Sequence, residues 1–178
     1  MKKYDKVIVW RITQHCNMNC LFCSYSNEID RKRDTSEFSS VIRFIDFLKK
    51  YKEKSGKEIL VSWIGGEPFL YDKIMNLSAM LFEYGIDVST TTNGILLRDS
   101  KLREGVLKHF SEIVFSLDGF EKCNDRIRNH SGHYEISTKA IAQLCREKTN
   151  TGSNTIIKVN TILLNENIGQ FEEFCLML

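Results

Sequence analysis

The stretch Val7-Ile-Val-Trp-Arg-Ile12 is followed, after three intervening residues, by Cys16-Asn-Met-Asn-Cys20-Leu-Phe-Cys23. The first segment is a short apolar run rich in β-branched residues, which predicts a strand over residues 7–12. The second segment places three cysteines in the loop after that strand, with no fourth cysteine in the same loop. Thiolates are the usual ligands of iron–sulfur clusters. A zinc site with one remote ligand, or unrelated buried cysteines, are the alternatives at this point.

The remaining chain alternates short apolar runs with segments of helical periodicity. Predicted strands cover residues 7–12, 59–64, 86–91, 113–117 and 155–164, and predicted helices cover residues 38–52, 71–84, 99–110 and 137–147, with another helix beginning at residue 171. This order favours parallel, right-handed βα units. Five strands are too few for a closed eight-stranded barrel. The predicted fold class is therefore α/β, an open and partial parallel βα barrel of about five units, with a doubly wound sheet as the alternative.

The totals indicate one domain, residues 1–178, with ordinary globular composition: 42% apolar residues, 27% charged residues and a net charge of +2. Such a small charge favours no nucleic-acid partner. No apolar stretch approaches the roughly 20 residues of a membrane span, and the first residues do not form a signal peptide. We therefore expect no membrane association and a cytoplasmic location, where clustered thiols indicate metal binding or catalysis.

Two further expectations concern isolated cysteines and the C-terminus. Cys123, Cys145 and Cys175 are scattered singly, and each is predicted to pack in the core. The chain stops in the apolar run Phe174-Cys-Leu-Met-Leu178, in the middle of a predicted helix. This ending suggests that the later part of the barrel, and any domain after it, are missing.

Polar residues follow the predicted strands at their carboxyl ends. Gly65-Gly66-Glu67-Pro68 follows the second strand, Asn93 the third, Ser116 and Asp118 end the fourth, and Asn160 lies on the fifth. The carboxyl ends of parallel strands meet at one edge of the sheet, which is where α/β proteins place their ligand sites. We therefore expect these residues and the three cysteines to form one site.

The cysteine spacing resembles the C-x3-C-x-φ-C signature of radical S-adenosylmethionine (SAM) enzymes, in which φ is aromatic and is here Phe22. The segment Gly65–Pro68 is similar to the GGEP motif of that family. The resemblance implies that Cys16, Cys20 and Cys23 are catalytic residues and metal ligands of a [4Fe–4S] cluster with an open iron. It also implies that Gly65, Gly66 and Glu67 bind the amino group of SAM, with Phe22 beside the adenine.

Three later segments extend this resemblance. Thr92-Asn93-Gly94 is similar to the family's TNG turn near the ribose, and Ser116-Leu-Asp-Gly119 is similar to its SLDG segment, with Ser116 matching a SAM-contacting serine. The run from Asn124 to Arg128 followed by Gly132-His-Tyr134 resembles the hD-x-x-R…G-x-F/Y pattern. The matching arginine, Arg128, binds the SAM carboxylate in that family, whereas Asn124 stands where the family usually has histidine.

Asn160 lies in a run that is similar to the VN-x-VL segment of the family, which places it near the adenosine or the substrate. A polar residue that simply lines the barrel is the alternative for this position.

The pattern as a whole is closest to members that carry a C-terminal SPASM or Twitch domain, which implies hydrogen abstraction from a peptide or protein substrate. The resemblance also implies an electron donor of the flavodoxin or ferredoxin type. Two alternatives stay open. One is a radical SAM enzyme that acts on a small molecule or nucleotide, or that activates a glycyl-radical partner. The other is a zinc- or cluster-binding interaction module without turnover.

Overall fold

The structure is a computed structural model that describes residues 3–24 and 32–178. In this part of the chain, five strands alternate with six α-helices. They are β1 (Lys6–Thr13), α1 (Phe38–Ser55), β2 (Ile59–Gly65), α2 (Ile74–Glu83), β3 (Asp87–Thr92), α3 (Ser100–His109), β4 (Glu112–Ser116), α4 (Glu121–Ile127), α5 (His133–Thr151), β5 (Ile156–Asn160) and α6 (Phe171–Met177). The polar stretch predicted to extend the cysteine loop includes residues 25–31, which lie outside the described residues.

The five strands form one parallel sheet whose spatial order is β1-β2-β3-β4-β5, the same as their order in the sequence. One row of the sheet, for example, pairs Trp10 with Trp63, Trp63 with Thr90, Thr90 with Ile113, and Ile113 with Ile157. A doubly wound sheet reverses its strand order at a switch point, and this sheet has no such reversal. The predicted open, partial βα barrel is therefore confirmed, and the doubly wound alternative is wrong.

The helices cover one face of the sheet. Along β2, Ile59, Val61 and Trp63 are buried in a core shared with α1, α2, α3 and α5, while the intervening side chains on the opposite face are only half-buried. Trp63 donates its indole N–H to Ser78 Oγ on α2 at 3.0 Å, and Trp10 packs edge-on against Phe44 of α1. Period-2 burial of this kind leaves the second face of the sheet, the concave side of the partial barrel, available for ligands.

One helix departs from the predicted pattern. Residues 121–127, predicted as part of a long polar loop, form α4, which buries only Cys123, Asn124 and Ile127. The segment has too few apolar positions for its periodicity to be recognised, so the prediction was wrong. Helix α5 also begins at His133 rather than at residue 137, and β5 ends at Asn160 rather than at residue 164.

The predicted burial of the isolated cysteines is confirmed for one of the three. Cys123 is buried on α4, but Cys145 and Cys175 are exposed. Cys145 follows the buried Leu144 on α5, and consecutive residues of a helix point in different directions. None of the helices in residues 3–24 and 32–178 has the length and apolar content needed to cross a membrane.

Candidate functional site

The cysteine loop, residues 14–24, is held to the rest of the protein by main-chain hydrogen bonds. Gly66 N–H donates to the carbonyl of Thr13 at 2.9 Å, and Glu67 N–H donates to the carbonyl of His15 at 2.8 Å. On the other side of the loop, Leu21 N–H donates to the carbonyl of Ile127 at the end of α4. The loop that carries the three thiols is thus fixed both to the end of β2 and to α4.

The glycine pair at the end of β2, Gly65 and Gly66, allows this close approach of two main chains. A Cβ on Gly65 would lie 2.0 Å from the carbonyl oxygen of Thr13, and a Cβ on Gly66 would lie 2.1 Å from that of His15. Gly65 also has a φ of +151°, which favours glycine. Both positions therefore need glycine for the docking of the cysteine loop, in addition to any ligand that they contact.

A cavity of about 240 Å³ lies at the carboxyl end of the sheet. Nine of the eleven predicted site residues line it: Cys16, Cys20, Phe22, Cys23, Gly65, Gly66, Asn93, Ser116 and Arg128. The remaining lining residues are Met18, Ile64, Thr91 and Thr92. The structure therefore brings together, in one cavity, side chains that the sequence distributes from residue 16 to residue 128.

Glu67 does not line this cavity. Its carboxylate is buried and accepts hydrogen bonds from Thr92 Oγ1 (2.8 Å), from the N–H of Asn93 (2.8 Å) and from the N–H of Phe69 (3.3 Å). Burial raises the pKa of Glu67 to about 7, although these donors favour the charged form. The carboxylate thus connects the loop after β2 to the turn after β3, which carries Asn93.

Asn160 also lies outside the residues that line the cavity. It ends β5 opposite Ser116, its carbonyl accepts a hydrogen bond from the N–H of Leu117 at 3.1 Å, and it is exposed. The sequence predicts Asn160 within a strand over residues 155–164, whereas β5 ends at Asn160, so this residue lies at the carboxyl end of the outermost strand.

Arg128 enters the cavity from the end of α4. Its guanidinium carbon lies 5.3 Å from the centre of the Phe22 ring, a cation–π contact. Its Nε lies 2.7 Å from Oδ2 of Asp118, and both side chains are buried. Because this ion pair engages the Nε side of the guanidinium, the arginine is held at a fixed position beside the cysteines.

The electrostatic environment favours the protonated thiols of Cys16 and Cys20. Burial raises the pKa of Cys16 to about 11, and the nearby Glu67, Cys20 and Cys23 raise it further, while the main chain at Met18 opposes the shift. Burial also raises the pKa of Cys20, with the charge of Arg128 acting in the opposite direction. Thiols lose their protons to a metal on binding, so occupancy of this site is coupled to proton release.

The donor set fits an iron–sulfur cluster. The three cysteines share the wall of one cavity. Thiolates select iron–sulfur centres, and a centre of several irons accepts thiolates that are spread around it.

One buried residue of the site, His133, was missed by the sequence interpretation. His133 is fully buried and donates from Nε2 to the carbonyl oxygen of Asn93 at 2.8 Å, while Asn124 contacts its Nδ1 at 2.9 Å. The motif around Arg128 drew attention to this segment, but nothing in the sequence indicates that the histidine side chain turns inward to the loop after β3.

The comparisons with known proteins agree with this architecture. Residues 10–178 match the family described as the radical SAM superfamily. The chain is 27% identical over 150 residues to Fe-coproporphyrin III synthase of Methanosarcina barkeri, covering 83% of this chain and 35% of that protein. It is 24% identical over 170 residues to mycofactocin maturase MftC of Mycolicibacterium smegmatis, covering 94% of this chain and 40% of that protein.

Solved structures show the same fold. The structure of Streptococcus suis SuiB bound to SAM superposes with a TM-score of 0.65 at 24% sequence identity, covering 97% of this chain and 38% of SuiB. SuiB has also been solved with its precursor peptide SuiA. The chain spans well under half the length of each of these three proteins. Its fold, its cavity and the match along nearly all of its length agree, and the chain belongs to the radical SAM superfamily, whose enzymes use a [4Fe–4S] cluster and SAM.

Proposed function

We propose that this chain is the catalytic core of a radical SAM enzyme that abstracts a hydrogen atom from a peptide or protein substrate. The observation that carries the proposal is the single cavity shared by the three thiols and the predicted SAM-binding residues. In this family the cluster and SAM together supply a 5′-deoxyadenosyl radical, which removes a hydrogen atom from an unactivated carbon of the substrate.

The residues of the cavity divide into two roles. Cys16, Cys20 and Cys23 hold the cluster, because they are the soft ligands on the wall of the cavity. Gly65 and Gly66 expose main chain to the cavity, and carbonyl oxygens suit an ammonium group such as that of SAM.

The other cofactor contacts follow from the same geometry. Arg128 presents a guanidinium fork, which matches the carboxylate of SAM better than a lysine would. Asn93 and Ser116 offer hydrogen-bonding groups for the ribose, and Phe22 offers an apolar surface for the adenine.

Glu67 and Asn160 take roles outside the cavity wall. Because the Glu67 carboxylate binds the turn after β3, we assign it to positioning Asn93 rather than to direct contact with SAM. Asn160 is exposed at the end of β5, beside Ser116, and we assign it to the substrate side of the site.

The peptide substrate is supported by the likeness to MftC, a maturase, and to SuiB, which binds a precursor peptide. A small-molecule substrate is the second candidate, and the likeness to Fe-coproporphyrin III synthase favours it. A flavodoxin- or ferredoxin-type electron donor and a cytoplasmic location, where thiols stay reduced, belong to the same proposal.

The first experiment is anaerobic reconstitution of the protein with iron and sulfide, followed by dithionite and SAM, with 5′-deoxyadenosine as the product measured. We expect Cys16→Ala, Cys20→Ala and Cys23→Ala each to abolish its release. Cys145→Ala is the matched control, because Cys145 is exposed on α5 and should leave product formation unchanged. Stoichiometric zinc without a four-iron cluster or nucleoside would instead support the binding module.

The substrate class is tested by the origin of the transferred hydrogen. Cells of the source organism are grown in deuterated medium and separated into a peptide fraction and a small-molecule filtrate, and each is added to the reaction. Deuterium in 5′-deoxyadenosine from the peptide fraction alone supports the proposal. Deuterium from the filtrate alone overturns the peptide substrate in favour of the second candidate.

A further inference from the structure

A continuous chain of buried polar contacts links two of the proposed SAM contacts, Asn93 and Arg128. Starting from Asn93, its carbonyl oxygen accepts from His133 Nε2 at 2.8 Å, and His133 Nδ1 lies 2.9 Å from the side-chain nitrogen of Asn124. The side-chain oxygen of Asn124 then accepts from the N–H of Asp118 at 3.0 Å. The carboxylate of Asp118 ends the chain at Arg128 Nε, 2.7 Å away.

His133 is the centre of this chain, and its protonation state follows from its partners. A carbonyl oxygen can only accept, so Nε2 of His133 carries the proton that it shares with Asn93. Nδ1 is then an acceptor, which matches the donor on Asn124. The ring is therefore neutral and singly oriented, and burial lowers the pKa of His133 to about 4, which keeps it neutral near pH 7.

His133 contacts the turn after β3, which carries Asn93, from the side opposite the cavity. Asn93 lines the cavity, and its side-chain nitrogen donates to Asn17 of the cysteine loop at 2.7 Å. Its main-chain N–H is held by Glu67, and its carbonyl is held by His133 together with the hydroxyl of Ser137, which donates at 2.9 Å. Both sides of the Asn93 main chain are thus fixed by buried side chains from other elements.

We propose that His133 is a positioning residue for SAM: through the carbonyl of Asn93 it fixes the turn that carries the ribose-contacting amide. This inference rests on the proposed function, since it concerns the same cavity. His133 does not line the cavity and does not act on the cofactor directly. Its contribution is the N–H donor at Nε2, so a side chain that keeps this donor should keep the function.

Two substitutions of His133 distinguish the effect of its Nε2–H donor from the effect of its side-chain volume. The amide of glutamine can place an N–H near the position of Nε2, whereas the amide of the shorter asparagine reaches only the position of Nδ1. We therefore expect His133→Asn to weaken SAM binding to the reconstituted protein by about tenfold, the loss of one good hydrogen bond. His133→Gln should stay within about threefold of the wild-type Kd.

The measurement is the Kd for SAM by anaerobic equilibrium dialysis, with the iron content of each variant determined in parallel. His109→Asn is the matched control, since His109 is a half-buried histidine at the end of α3 that does not line the cavity. If His133→Asn does not take up the cluster, Ser137→Ala removes the second donor to the same carbonyl and should weaken binding by about threefold.

Each outcome decides between the two proposals. A wild-type protein that loads its cluster but does not bind SAM overturns the proposed function, and this inference with it. A wild-type protein that binds SAM while His133→Asn, or Ser137→Ala in its place, binds equally well overturns the positioning role alone. Equal weakening in His133→Asn and His133→Gln also overturns it, because ring packing rather than the donor would then be responsible.

Discussion

Gly66→Ala should detach the cysteine loop from the end of β2. Gly66 has no positive φ, so alanine is compatible with its main-chain conformation, and only its surroundings oppose the new methyl group. That Cβ would lie 2.1 Å from the carbonyl oxygen of His15 and 2.5 Å from its carbonyl carbon. Carbon atoms pack best at roughly 3.5 to 4.0 Å, so the loop would have to move by more than about 1 Å.

The magnitude follows from the contacts that such a movement breaks. Overpacking costs about 1–3 kcal/mol. The hydrogen bonds from the N–H groups of Gly66 and Glu67 to the carbonyls of Thr13 and His15 contribute about 1 kcal/mol each. We therefore expect the free energy of unfolding of the cluster-free protein to fall by about 3–5 kcal/mol. Because Cys16 follows His15 directly, cluster incorporation should fall more steeply than stability.

The assay combines urea unfolding, followed by circular dichroism, with iron content after reconstitution. Gly169→Ala is the matched control, because Gly169 has no atom within 4 Å of the position of its Cβ and no positive φ. Its free energy of unfolding should change by less than about 0.5 kcal/mol. A Gly66→Ala protein with wild-type iron content and the stability of the control would refute the steric argument.

Three further perturbations test the surrounding structure. Asp118→Asn leaves the buried guanidinium of Arg128 without its counter-ion. Urea unfolding of the cluster-free protein should show that the free energy of unfolding falls by about 3–5 kcal/mol. A fall of less than about 1 kcal/mol would contradict a buried ion pair. Burial lowers the pKa of His133 from its ordinary value of 6.5 to about 4. As the pH falls from 6.5 to 4, the unfolded chain therefore binds a proton at this histidine while the folded protein does not, and the folded state loses stability. Compared with His133→Gln, the cluster-free wild type should lose about 3 kcal/mol more over this range, and parallel pH profiles would exclude a neutral buried ring. Thr155→Val removes the hydroxyl that donates to the carbonyl of Phe110 at 2.8 Å. The free energy of unfolding should fall by about 1–2 kcal/mol, while the Kd for SAM, measured by equilibrium dialysis, should stay unchanged. A weaker Kd would contradict a purely structural role for this hydroxyl.

Much of the site could be predicted because local sequence carries it. Apolar runs and turn residues predict where each strand ends and the following loop begins. The cysteine spacing, the glycine pair and the polar residues at the strand ends all lie in short segments of this kind. Parallel strands bring their carboxyl ends to one edge of the sheet. The sharing of one cavity by nine of the eleven predicted residues could therefore be predicted without knowledge of contacts between distant segments.

Other features depended on contacts between distant segments. The sequence did not distinguish a partial barrel from a doubly wound sheet, because strand order is set by the packing of helices on the sheet and not by any single strand. It also could not show that Glu67 turns away from the cavity to bind the loop after β3, or that His133 points inward. Whether a polar side chain faces a ligand or supports a neighbouring turn is decided by which buried donors and acceptors the tertiary fold brings within hydrogen-bonding distance, since a buried polar group must find a partner.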